Sequence, residues 1–272
     1  MTTTINLRNL FFCSFMACLP LTAACTANAA RTSVPDGRQP TASIGGDAYG
    51  EKYITRNISA STVKSISAAS AIKVTYTPSS TGNISIVARI KEDYLDKFNA
   101  STDDGDLEFS ITGNVNSKGS DDAPAIIEVT GPATLSSVEA SSAGIINVTS
   151  TLKPDGNFSA EVSSSGVISL KGVKASDISI EASSAGTINV KDVQTGNLTV
   201  EASSSGIVNV TGKCSEKASI EASSMAIVNA QKLDCPNLSV ESSSMAKVKS
   251  GTSSKTRTVT NNGIGETPMK RY

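Results

Sequence analysis

"IEASSAGTINV" occupies residues 180–190, "VEASSSGIVNV" follows at 200–210, and "IEASSMAIVNA" stands at 220–230. The repeat is anchored by Glu139, Glu161, Glu181, Glu201, Glu221 and Glu241, spaced by 22 residues once and by 20 thereafter. A fixed short period marks a solenoid, in which each repeat buries its apolar face only against its neighbours. A period of about 20 residues with alternating β-branched residues fits a β-coil, because helical repeats need about 33 or more. The expected fold is all-β: a right-handed parallel β-helix, or β-solenoid, with coils of about 20 residues.

Aligning the coils predicts what lies inside. Ile178, Leu198, Ala218 and Leu238 form one column, and Ile180, Val200, Ile220 and Val240 the next. Ala182, Ala202 and Ala222 form the third. Beyond the corner come Ile188, Val208, Val228 and Val248, then Val190, Val210 and Ala230. Each alternates with polar residues, so a period of two turns the named set inward. "SSAG", "SSSG" and "SSMA" are the corners, with stacked serines expected to bond along the column. Gly144, Gly166, Gly186 and Gly206 are expected to supply positive φ there, although Ala226 and Ala246 replace them in the last coils.

The chain divides outward from this repeat. Residues 1–29 read as a secretory signal: Arg8, an apolar run from Leu10 to Leu19, then Pro20 and small residues. "LTAAC" ending at Cys25 resembles a lipobox, with Leu21 one place early, and would leave Cys25 lipidated. Ala27-Asn28-Ala29 is an alternative cleavage site that would release a chain beginning at Ala30. Either way the chain is expected to be exported and associated with the outer membrane, on its periplasmic or surface face, or else secreted or periplasmic and soluble. Residues 30–50, rich in Pro, Gly and Ser, are expected to be a flexible tether. Residues 51–134 read as an irregular strand-rich part. "VKSISAASAIKVTYTP", "NISIVARI", "GDLEFSITG" and "APAIIEVTG" are its strands, "KEDYLDKF" at 91–98 is one short helix, and 114–122 is a polar loop. The solenoid is expected over 135–260, with a tail at 261–272.

Composition narrows the function. Charge is balanced, 24 Lys plus Arg against 25 Asp plus Glu, which argues against a nucleic-acid partner. There is no His, the commonest general base and metal ligand, and no Trp, the best stacking platform for sugars. Serine, about one residue in six, is periodic rather than low-complexity. No cofactor is expected. Cys214 and Cys235 lie at nearly equivalent places on successive coils, within disulfide reach, in an exported chain. The alternative is two buried thiols.

The glutamate column is the sharpest candidate site. In-register carboxylates about 5 Å apart repel one another. Glu181, Glu201 and Glu221 are candidate ligands for a divalent cation held between rungs. The competing reading is a solvated column whose repulsion is relieved by splayed rotamers and nearby Lys. A glycosidase pair needs two unlike carboxyl groups, and a uniform column offers none. Asn147, Asn189, Asn209 and Asn229, interrupted by Ser169, form a second column, expected to be a structural amide ladder.

"NLTVEASSSGIVNVTG", "DISIEASSAGTINVKD" and "NLSVESSSMAKVKS", with "AIKVTYTP" and "YLDKFNASTDDGDLEFSI", resemble the head GIN domain family over about Val63 to Lys249. That family is described as adhesins of the auto-transporter type and is common in Bacteroidetes; it usually writes "SGSG" at the corner. The resemblance implies a β-helical exported protein with an adhesin-like role. The expected function is therefore non-catalytic binding of a surface or envelope partner, protein or polysaccharide, with membrane attachment through lipidated Cys25. Homo-oligomers are left open. A carbohydrate-active β-helix enzyme and a periplasmic small-ligand or metal-binding module are the alternatives.

Overall fold

The computed structural model describes residues 44–46, 52–116 and 122–263. The signal segment, Cys25 and most of the C-terminal tail lie outside the described residues. Seventeen strands follow one another among them. They are β1 (Ile44–Gly46), β2 (Lys52–Ile58), β3 (Ser65–Ala68), β4 (Lys73–Ser79), β5 (Ser85–Lys91), β6 (Phe98–Asp103), β7 (Asp106–Ile111), β8 (Ala125–Pro132) and β9 (Ser137–Ala140). Then come β10 (Ile145–Leu152), β11 (Phe158–Val162), β12 (Val167–Ala182), β13 (Thr187–Ala202), β14 (Ile207–Ala222), β15 (Ile227–Ser244), β16 (Lys247–Lys249) and β17 (Thr252–Gly263). The fold is a β-solenoid with coils of about 20 residues behind an irregular strand-rich start.

The coils stack in parallel and in register. Ile180 pairs with Val200 and Val200 with Ile220; Ile188 pairs with Val208 and Val208 with Val228. Every residue of the five predicted inward columns is buried. A further column, Leu152, Val173, Val193 and Leu233, fills the side of each coil between the two predicted faces. Gly212 takes its place in the fourth coil, at φ 135°, where a Cβ would meet the backbone of Val193.

The stack starts earlier in the chain than Leu135. β3 and β4 pair in parallel with β9 and β10, Ile66 on Val138 and Val74 on Ile146. On their other side they pair in parallel with β7 and β8, Ile66 on Leu107 and Val74 on Ile127. The coil of 65–79 is thus sandwiched between segments that follow it in sequence. Antiparallel strands then close that end: β6 on β7, and β5, β2 and β1 in turn beyond β8. Within the stretch expected as tether, Ile44–Gly46 pair with β2. The helix expected at 91–98 is a single 3-10 turn, Glu92–Tyr94, and Phe98 opens β6. Eight residues offer too few helical hydrogen bonds to offset the cost of nucleation. Their apolar members, Tyr94, Leu95 and Phe98, still pack on the core.

The corners depart from expectation in an instructive way. Gly144, Gly166, Gly186 and Gly206 do not carry the positive φ. The two residues before each do: Ser142 and Ala143, Ser164 and Ser165, Ser184 and Ala185, Ser204 and Ser205. The glycines are there for close approach. A Cβ on Gly144, Gly166 or Gly206 would strike the carbonyl of Ala68, Ala140 or Ala182 on the coil beneath. Ile72 holds the equivalent place in the coil of 65–79, where the neighbouring chain leaves the stack after Ile111. Where Ala226 and Ala246 stand instead, only Ser224 and Ser244 keep positive φ. The backbone itself closes each corner, as Ala143 N–H donates to Ser164 O and Gly144 N–H to Ser141 O.

Candidate functional site

Each coil brings three outward positions to the strand that precedes its corner. Ser137, Ser159, Ser179, Thr199, Ser219 and Ser239 form one ladder. Two residues on, Glu139, Glu161, Glu181, Glu201, Glu221 and Glu241 form the second. Two residues before the hydroxyls, Asp177, Asn197, Lys217 and Asn237 form a third, and Asn197 Nδ2 donates to Asp177 Oδ1 at 2.8 Å. Strand alternation dictates all three, because the residues between them are the inward Ile, Val, Leu and Ala columns.

A groove of about 540 Å³ opens on this face. Ser136, Asn157, Ser159, Asp177, Ser179, Asn197 and Thr199 supply its hydroxyl, amide and carboxyl groups, with Phe158 and Ile178, whose side chains are buried, also at its edge. Its lining comes from four consecutive rungs, so a ligand lying along it meets the same chemistry repeatedly. The glutamate spacing had marked this face; the groove beside it was not foreseen.

The glutamates stand on consecutive rungs as predicted, Glu181 on Glu201 and Glu201 on Glu221. The Glu201 carboxyl is held above the ordinary range, first by partial burial and then by Glu181 and Glu221. Glu139 is raised in the same way, by burial and then by Glu161 and Glu108. Glu108 reaches this column through Ser67, which pairs with both Glu108 and Glu139. Among the described residues, no group of three or more His, Cys, Asp or Glu could hold a metal ion. Glu181, Glu201 and Glu221 thus stand as a charge ladder on three consecutive rungs.

The face after the corner carries the amide column, with Asn209 Nδ2 donating to Asn189 Oδ1 at 2.9 Å. At the C-terminal end, Cys214 and Cys235 are joined as a disulfide, Cα–Cα 4.8 Å apart, and both are buried. No helix among the described residues is long and apolar enough to cross a membrane.

A parallel β-solenoid with in-register ladders of hydroxyl and carboxylate side chains on one outer face is the class of protein defined here. The chain belongs to the family described as "Putative auto-transporter adhesin, head GIN domain", whose model matches residues 63–267. Among solved structures, it is similar to a "putative adhesin" from Parabacteroides merdae, at 18% identity and TM-score 0.65, covering 82% of this chain and 98% of that one. It is also similar to a "Putative lipid binding protein" from Parabacteroides distasonis, at 17% identity and TM-score 0.67, covering 78% and 94%. A second P. distasonis structure, a "putative adhesin", matches at 15% identity and TM-score 0.65, covering 80% and 95%. At these identities the likeness is one of fold. No curated protein matches the chain.

Proposed function

We propose that this chain is an exported, adhesin-like protein, held at the outer membrane by an acyl group on Cys25, that binds a surface polysaccharide along its polar face without turning it over. The observation that carries this reading is the groove of Asn157, Asp177, Asn197, Ser179 and Thr199 on a face that repeats from rung to rung. A polymer crossing several rungs makes each added contact intramolecularly, so weak contacts sum to useful avidity. Family membership supports the adhesin-like role. The uniform carboxylates and the lack of His support binding over hydrolysis.

The purified chain should bind some members of a panel of linear polysaccharides and release no new reducing ends. Asp177→Ala with Asn197→Ala should weaken that binding at least about tenfold, the loss of roughly 1.4 kcal/mol expected when hydrogen-bonding groups are removed from two consecutive rungs. Unchanged binding would move the site elsewhere, and product release would replace the adhesin with an enzyme. Attachment is tested separately: Cys25→Ser should shift the protein from membrane to soluble fractions. A wild-type chain already soluble and starting at Ala30 would remove the anchor from the proposal.

A further inference from the structure

The corner sequence changes in the last two coils. The place held by Ala143, Ser165, Ala185 and Ser205 in four successive corners is held by Met225 and Met245 in the next two. These side chains are 56% and 53% exposed, and Ile227 beside them is 41% exposed. They are the exposed large hydrophobic residues among those described. One exposed apolar side chain is ordinary, but three on adjoining rungs at a corner otherwise built of small residues make a patch.

The flanks of this ridge carry opposite charge. Glu221 and Glu241, both exposed, lie on the strand before the corner. Lys247 and Lys249, also exposed, lie on the strand after it, in register with Ile227 and Asn229. An anionic lipid surface meeting the methionines would also meet the two glutamates. A second copy of the same ridge would not face that conflict. If two copies meet corner to corner about a two-fold axis parallel to the stack, the acidic flank of each faces the basic flank of the other at the Met245 rung, Glu241 opposite Lys247, while at the Met225 rung Glu221 comes opposite Ile227. A two-fold axis perpendicular to the stack would set glutamate against glutamate, which is destabilising. The ridge is thus self-complementary in one arrangement, as a two-fold interface requires.

We propose that the Met225–Met245 corner is a self-association surface that pairs two copies of this chain side by side and parallel. Met225 and Met245 fill the space between the ridges, a role suited to their unbranched, adaptable side chains. Glu241 faces Lys247 of the partner subunit, and the symmetry repeats that pair. Both N-terminal caps then lie at the same end. Contact is confined to the last rungs, so the pair belongs with small, reversible interfaces and forms with rising concentration.

Sedimentation velocity across a concentration series tests this. The wild-type chain should shift from monomer to dimer. Met225→Ser with Met245→Ser, which restores the residue of the Ser165 and Ser205 corners and so preserves the fold, should weaken the dimer at least about tenfold. Glu241→Lys and Lys247→Glu should each weaken it, and the two together should restore it. A Met245→Cys chain should cross-link to itself under mild oxidation, because the axis sets position 245 against its own copy. A wild-type chain that stays monomeric throughout, a dimer indifferent to the Met→Ser pair, or no self-cross-link would overturn the proposal. Methionine-dependent binding to anionic vesicles by a chain that remains monomeric would overturn it in favour of lipid.

Discussion

Val200 and Glu201 are neighbours in the chain and opposites in surroundings. Val200 is fully buried between Ile180 and Ile220, whereas Glu201 stands outward between two other carboxylates. Val200→Asp puts an unpaired charge in a dry column and should cost several kcal/mol, seen as a collapse of the urea midpoint. Glu201→Gln should do the reverse. Partial burial and then Glu181 and Glu221 raise the Glu201 carboxyl, so the folded chain keeps that proton to higher pH than the unfolded chain does. Stability from this group is therefore greatest below the ordinary carboxylate range and is lost as pH rises through it to the raised value. Glu201→Gln should stabilise the protein at about pH 7 by no more than about 1 kcal/mol, because solvent screens the column. At about pH 3 it should gain nothing. Urea midpoints of the two proteins across that range check the sign, and a gain confined to acid would contradict it.

At the scale of the coil, the disulfide shows both what the sequence disclosed and what it hid. The equivalence of Cys214 and Cys235 was legible from the glutamate spacing, but their one-residue offset left the pairing in doubt. The structure absorbs the offset locally. Asn209 pairs with Asn229, then Thr211 with Lys232 and Lys213 with Asp234, and the original register returns at Lys217 and Asn237. The fourth coil is one residue short on this side, and Gly212, where a side chain would strike Val193, permits it. Thr195 holds the equivalent place one coil earlier, with its Oγ1 2.9 Å from Ser176 O and 2.8 Å from Asn197 O. The five inward columns were legible because a period of two leaves no choice of face. The coil at 65–79 was missed although "ISAASAIKV" matches "VEASSAGIINV" in pattern, because Ser67 replaces the anchor glutamate and Ile72 the corner glycine. The groove was not legible, since it depends on how neighbouring outward side chains lie. Closing a loop with sequence separation 21 should contribute roughly 3 kcal/mol in the chain-entropy model. Cys214→Ala with Cys235→Ala should lower the unfolding free energy by about that much, and reductant should destabilise the wild type alone. Two cysteines that alkylate freely in the folded, unreduced protein would refute the bridge.

At the scale of the whole stack, the two ends are built differently and should open differently. The C-terminal end is a plain run of parallel rungs. The last strand among the described residues, β17, pairs with β15 and sets Arg257, Val259 and Asn261 over inward Leu238, Val240 and Ser242, so that only Val259 continues the apolar stack. Solenoid rungs are held only by their neighbours, so such an end can peel one coil at a time. The N-terminal end cannot. Its coil of 65–79 lies between β7 and β8 on one side and β9 and β10 on the other, and antiparallel strands cover the first rung. Releasing residues 65–79 would separate 106–132 from 137–152 and split the stack, so that end must open as a unit. Amide hydrogen exchange should therefore be graded from the C-terminus: β16 and β17 fastest, β15 next, and the interleaved strands β3, β4, β9 and β10 among the slowest. Reducing the Cys214–Cys235 bond should accelerate exchange in β15 to β17 and leave β3 and β4 unchanged, because the bridge ties only the last coils together. Exchange that begins at β3 and β4, or that reduction speeds equally along the stack, would mean that the interleaved coil does not lock the N-terminal end.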